Sequence, residues 1–432
     1  MKLLKKNIMK KLVLSALIAS SLVFTGCFKD DDTPIIIEET TIINNNNGGN
    51  NGEECPMISV TGAITEDTTW TNDNIYQLNQ KVVVENGATL TIEAGTIVKG
   101  TPGTGSLASA LIIARDAQLN AVGTATAPII FTSTSDNIAC GEIAGTNLDQ
   151  NDRGLWGGLI VLGNAPCSFS GDITEAQIEG IPADDTFGLY GGTDAADNSG
   201  VLSYISIRHG GALIGEGNEI NGLTLGGVGN GTIINNIEVV ANVDDGIEFF
   251  GGTVNASNLL IWAQGDDAID IDQAYSGTID NAVVVLGDFS DHAFEVDGPE
   301  GSATGSFILQ NATIIGNTVT ENGEYADYRS GATGATNNIY AYGFKASSDV
   351  ELDNDGVATN YNNGDLTFGT WEIVLPSEVT DVTSVFVNKA ETVTVTGFGS
   401  TAIAITQGEN TVGASTAELA WTYSNTAGGL GF

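Results

Sequence analysis

The chain has 432 residues, with 54 acidic against 14 basic side chains and a formal charge of −40, so nucleic acid and anionic membrane faces are poor partners and cations are good ones. Five of the basic residues (Lys2, Lys5, Lys6, Lys10 and Lys11) precede residue 27, leaving nine against all 54 acids and a charge of −45 on the remainder. Glycine, at 56 residues against only 8 prolines, suits tight turns between closely stacked strands.

Residues 1–26 read as a secretory signal: the lysines form a basic n-region, and Leu12 to Phe24 an apolar stretch too short for a membrane span, which needs roughly 20 residues. The stretch ends in Phe24-Thr25-Gly26-Cys27, which resembles a lipobox and implies lipidation of Cys27. The acidic run Asp30-Asp31-Asp32 behind it resembles the export signal of surface lipoproteins, so the expected location is the outer membrane, facing outside. Residues 27–54, with Asn44 to Asn47 and Gly48-Gly49-Asn50-Asn51-Gly52, cannot bury enough apolar area to fold and read as a tether.

From Cys55 to Tyr76 the reading is an irregular stretch capping a first coil. Val82 to Ile92 then gives two strands around Asn86-Gly87, and 111–114, 128–131 and 156–162 give further apolar strands. Polar, Gly/Asp-rich insertions at about 136–153 and 168–199 are expected to loop out. Strands resume at 201–207 and 220–225, and β character continues through 371–375, 392–395 and 403–405. Ser415-Thr416-Ala417-Glu418 reads as a capping box, so residues 409–432 are expected to form a cap over the open end of the domain at 55–408. Of Cys55, Cys140 and Cys167, the pair Cys140 and Cys167 lies about one coil apart and is the expected disulfide, an exported setting permitting one.

The strongest pattern is a repeat. Asp244-Asp245-Gly246-Ile247-Glu248-Phe249-Phe250 returns as Asp266-Asp267-Ala268-Ile269-Asp270-Ile271-Asp272 and as Asp291-His292-Ala293-Phe294-Glu295-Val296-Asp297, at steps of 22 and 25 residues. An Asn before an apolar run recurs alongside, at Asn236, Asn258, Asn281, Asn311 and Asn338. Such a period, with strand-like units and Gly/Asn turns, means a single-stranded parallel β-helix, an all-β solenoid. The asparagines are turn residues that tolerate a left-handed backbone. Alternation then points Ile247, Ile269, Phe294 and Val350 inward. It stacks Glu248, Asp270, Glu295, Asp327 and Glu351 outward, beside Phe250, Asp272, Asp297, Arg329 and Asp353.

Stacked carboxylates about 4.8 Å apart repel one another unless solvated, protonated or bridged by a cation. Arg329 supplies one local remedy between Asp297 and Asp353, while Glu248, Asp270, Asp272, Glu295 and Asp297 form a candidate Ca²⁺ set. The competing reading is a solvated acidic face.

Gly265-Asp266-Asp267, with Asp244 one coil before and His292 one coil after, resembles the carboxylate and histidine set of polygalacturonases. That resemblance implies Asp244, Asp266 and Asp267 as acid and base and His292 in support. The family's Arg-x-Lys clamp is missing, since Ser330 and Gly331 follow Arg329. A lyase mechanism would need an arginine base, and Arg208 is the candidate, beside His209, itself read as a turn residue. The runs 156–163, 218–229 and 244–255 resemble a group of exported bacterial surface β-helix lipoproteins, which implies a right-handed parallel β-helix of pectate-lyase-like fold without an assigned activity. The function expected from all of this is a non-catalytic surface module binding glycans or envelope proteins, stabilised by Ca²⁺. The alternatives are a pectinase-type hydrolase or lyase and a structural envelope scaffold.

Overall fold

The computed structural model describes residues 55–182, 185–213, 219–320 and 322–432. The signal sequence, Cys27 and the tether lie outside the described residues. Successive parallel strands coil into three stacked sheets, giving the all-β parallel solenoid that the repeat demands. One sheet, which carries an acidic wall, stacks Leu223–Gly226, Ile247–Phe250, Ile269–Asp272, His292–Val296, Glu324–Tyr328 and Val350–Leu352. The other two share long strands such as Ile233–Val240, Asn255–Trp262 and Thr278–Val285, each bent in its middle by an asparagine.

Sequence alternation and core agree residue by residue. Leu223, Ile247, Ile269, Phe294, Ala326 and Val350 stack in register and are at most 1% exposed. Each such aliphatic contributes about 1.5–3 kcal/mol by leaving water. The five asparagines of the bend have φ between 55° and 64°, and Asn281 donates to Asn258 (2.8 Å) as Asn338 does to Asn311 (3.0 Å). The backbone turns left-handed there and the side-chain amides bond from coil to coil.

Several expectations change. The stretch before Tyr76 is not irregular: Met57–Ile64 and Thr68–Trp70 are strands of the first coil, and Trp70 stacks on Tyr76 at 4.7 Å. Residues 392–395 form no strand, because the amides of Thr392 and Val393 bond to the Asp355 carboxylate instead. Asp355 opens a helix, Asp355–Asn363, capped by the Asn354 side chain and closed by Gly364 at φ 81°. The first insertion folds back rather than out. Lys99 Nζ donates to the carbonyls of Asp136 and Ile138, and Ile138 packs among Ile75, Ile97 and Ile130. That brings Cys140 to Cys55, and those two form the disulfide, in place of the expected Cys140–Cys167 pair. Cys167 is free and sits against Gly251; burial pushes its thiol up to about 12.

Residues 409–432 do not close the end of the solenoid. They run back along its flank: Thr411 binds Glu372, Ala414 binds Thr313, Ser415 binds Asn281, and Tyr423 and Ser424 bind Glu238. The reason is an outward apolar stripe, Val240, Leu260, Trp262, Val283 and Val285, which Leu419 and Tyr423 cover. Thr416 makes no capping bond; a short helix at Tyr423–Thr426 is capped by Thr422.

Candidate active site and cation-binding wall

The repeat places its chemistry in columns across the acidic wall. At the turn entering it, Asn221, Asp245, Asp267 and His292 occupy one column, and the side chains of the first three each accept the next coil's amide. Asn221 Oδ1 takes Asp245 N (3.2 Å), Asp245 Oδ1 takes Asp267 N (2.9 Å), and Asp267 Oδ1 takes His292 N (2.7 Å). Asp267 Oδ1 also meets His292 Nδ1 at 2.8 Å. Asp267 is 4% exposed, so its first task is to order the column. One residue earlier, Asp244, Asp266 and Asp291 stand at the rim; Asp266 is exposed and the other two half-buried.

Burial sets the proton affinities here. Burial, then the charges of Glu179 and Asp266, push Asp244 up to about 7. Burial, then Asp267 and Asp291, push Asp266 up to about 6. Burial pulls His292 down, but the hydrogen bond and charge of Asp267 outweigh it and carry the imidazole up to about 9, so it is a cation at neutral pH.

The next column pairs Glu248 with Asp270, Asp270 with Glu295, Glu295 with Asp327 and Asp327 with Glu351, the register expected from alternation. It is not a solvated face. Glu248, Glu295, Asp327 and Glu351 are 5–8% exposed. The second insertion, expected to loop out, packs back over this end through Phe169, Ile178 and Tyr190 against Phe250. It carries Glu179 to Asn221 (3.3 Å), whose amide also donates to Glu248.

Repulsion within the column is answered in three ways. Arg329 pairs with Glu295 and with Asp297 (2.7 Å) and lies 3.9 Å from Asp327; these contacts replace the expected bridge to Asp353. Lys389, from the following coil, pairs with Glu351. At the other end, Asp245, Glu248 and Asp270 have no such cation among the described residues, and burial with mutual repulsion holds all three well above the carboxylate range.

The five residues expected as a single Ca²⁺ set therefore divide. Glu248 and Asp270 join Asp245, with oxygens within 4.8 Å of one another, and Asp270 Oδ1 is enclosed without a hydrogen-bond partner among the described residues. Glu295 joins Asp267 and His292, while Asp272 and Asp297 line a cavity of about 480 Å3 with Glu300, Ser170 and Ser330. The oxygen-rich Asp245–Glu248–Asp270 set suits a hard divalent cation such as Ca²⁺. A further cluster, Glu324, Asp349 and Glu351, was not foreseen. Arg208 is remote from the wall: it lies on another sheet, 1% exposed, bonded to Ser206 and Ile143 and stacked on Tyr423 at 4.4 Å. His209 is a buried turn residue at φ 62° whose Nδ1 meets the Asp152 carbonyl.

Asp291 was visible in the repeat, standing where Asp244 and Asp266 stand. Glu179 and Lys389 carried no signal, because both reach the wall from segments whose packing no period announces.

This wall of carboxylates on a parallel solenoid defines a class. Residues 62–426 match the family described as a pectate-lyase like beta helix domain, and the chain belongs to that family. No curated protein and no solved structure gave a match.

Proposed function

We propose that the protein cleaves a polysaccharide by hydrolysis, with Asp244 and Asp266 as the acid and base pair. The supporting observation is their placement: adjacent coils put them at the open rim, in one carboxylate cluster with Asp245, and raise them to about 7 and about 6. Glycoside hydrolysis needs one carboxylic acid to protonate the leaving oxygen and a second carboxylate to activate water or attack. Asp244 keeps its proton longer and is the acid; Asp266, exposed, is the base or nucleophile. The two titrate as a pair, so activity follows a bell centred between about pH 6 and 7. Asp267 and His292 position the rim from below. β-Elimination has less support, since Arg208 is buried elsewhere and Arg329 is committed to carboxylates.

The test is glycan cleavage by the wild type and by Asp244→Asn and Asp266→Asn, each expected to lose roughly 10²–10⁴-fold in rate with the fold unchanged. A wild type that retains a glycan without cutting it, and variants that retain it equally, would return the protein to the binding-module reading. We further propose outer-membrane display through lipidated Cys27, supported by residues 1–32; mass spectrometry of the mature N-terminus tests it.

A further inference from the structure

We propose that Phe289 is the platform on which the sugar ring next to the cleaved bond stacks, and that this ring is an uncharged pyranose. The inference rests on the polysaccharide reading above. Phe289 lies in the turn between the strands Thr278–Val285 and His292–Val296 and keeps 66% of its surface exposed. A lone exposed aromatic is ordinary on a protein surface. This one is pinned, sits on a fixed turn and borders the acid pair.

Arg153 does the pinning. Its guanidinium carbon lies 4.6 Å from the ring centroid, over one face, and the exposure of the ring leaves the other face to a ligand. Arg153 Nη1 is enclosed without a hydrogen-bond partner among the described residues, beside Gly265, where a Cβ would come within 3.2 Å of it. That Cβ would also strike the Val243 carbonyl, so glycine at 265 is what admits the arginine. Closed in at Nη1, Arg153 holds the ring rather than reaching for substrate.

The turn is tied on both sides. Ser290 Oγ donates to the Gln264 carbonyl (2.6 Å) and accepts from Gly287 N (2.9 Å), while Asp288 Oδ1 accepts from Asn317 Nδ2 (2.9 Å). A preset surface loses little entropy when it binds. Asp291 N donates to the Asp266 carbonyl (2.9 Å), and Phe289 is two residues earlier, at most about 7 Å of chain away. Coils rise about 4.8 Å, close to the length of one sugar unit, so a glycan along the axis would cross Asp244, Asp266 and then Phe289. Val319, 72% exposed, extends the apolar edge one coil further, where Thr320 Oγ1 donates to the Ser290 carbonyl (2.9 Å).

Charge selects the kind of sugar. A uronate here would bring its carboxylate to Asp244, Asp266 and Asp291 on a chain already at −40. Arg329 and His292 are paired with the wall's own acids. A neutral pyranose offers its C–H face to the ring and meets no such repulsion.

The test uses the full-length protein with Asp266→Asn, to prevent turnover, and calorimetric titration with four tetramers: β-1,4-linked glucose, mannose, galactose and glucuronate. One of the neutral tetramers should bind at least about tenfold tighter than the glucuronate. Phe289→Ala should weaken that binding about tenfold, Phe289→Leu as much because it keeps apolar bulk without a ring, and Phe289→Tyr should restore it. At 66% exposure these changes leave the fold intact, which thermal unfolding confirms. Unchanged binding in Phe289→Ala or Phe289→Leu, tightest binding of the glucuronate, or binding of none of the four would overturn the inference. The cleavage reading stands or falls separately, on turnover by the wild type.

Discussion

Glu238 shows how much one residue can hold. It is fully buried, and its carboxylate accepts from Ser206 Oγ (2.5 Å), Tyr423 N (3.0 Å), Ser424 N (2.8 Å) and Ser424 Oγ (2.6 Å). Arg208 lies close by, also buried, joined through the same Ser206 hydroxyl (2.7 Å). Removing one member of such an arrangement leaves the others unmet. Glu238→Ala should therefore destabilise by about 3–5 kcal/mol in urea unfolding, far more than an exposed acid such as Glu418. A loss under about 1 kcal/mol would mean that the tail does not depend on this contact. The contrast with the wall is instructive. Glu238 is matched by donors from three directions, whereas Asp245, Glu248 and Asp270 face one another.

The insertions and the tail pack back onto the solenoid, and each does so at a place where the coil alone is incomplete. The first insertion brings Ile138 onto an exposed corner and is secured by the Cys55–Cys140 disulfide across 85 residues of sequence. Cys55→Ser with Cys140→Ser should cost roughly 2–4 kcal/mol, read as a lower urea midpoint. Cys167→Ser should cost less, and in the folded protein its thiol, raised to about 12, should resist alkylation. A labelled Cys167 in the native state would contradict the burial described. The second insertion shields the acidic wall, so shortening it would hydrate Glu248 and relax the carboxylates toward ordinary titration.

Across the molecule, the wall makes stability depend on pH in a definite direction. Asp244, Asp272, Asp327 and Glu324 are raised by burial to about 7, and burial with mutual repulsion also holds Asp245, Glu248 and Asp270 well above the carboxylate range. Their unfolded values lie near 4, so between about pH 4 and 7 the folded state binds more protons than the unfolded one. Their contribution is complete below about pH 4 and is lost as pH rises through 7. His292 adds the same sign: its contribution is complete below about 6.5 and is lost as pH rises through about 9. Without divalent cation, the thermal midpoint should fall between pH 5 and 8. Calcium at a hundredfold excess over Kd should restore about 2.7 kcal/mol at pH 8 and little at pH 5, where protons occupy the oxygens. Asp270→Asn with Glu248→Gln should abolish the calcium response and lessen, without removing, the pH response. A midpoint that rises toward pH 8 without cation would disprove the protonated wall.

The sequence by itself determined what repeats. A period near 22 residues dictates a coil, alternation dictates which residues enter the core, and an Asn at each bend dictates a left-handed turn. Hence the register from Glu248 through Asp270, Glu295 and Asp327 to Glu351 was legible before any coordinate, as was the meeting of Asp267 and His292. The helix at 355–363 was legible too, through Asn354 and Gly364, but only to a reader watching for caps rather than strands. Tertiary structure alone decided the environment of those columns. Whether a carboxylate is solvated or buried depends on what packs over it, and the second insertion, Lys389 and the tail all arrive from aperiodic segments. Their docking is set by apolar surfaces that exist only once the coils have stacked: the Ile75–Ile97–Ile130 corner drew Cys140 to Cys55, and the Leu260–Val283 stripe drew the tail along the flank.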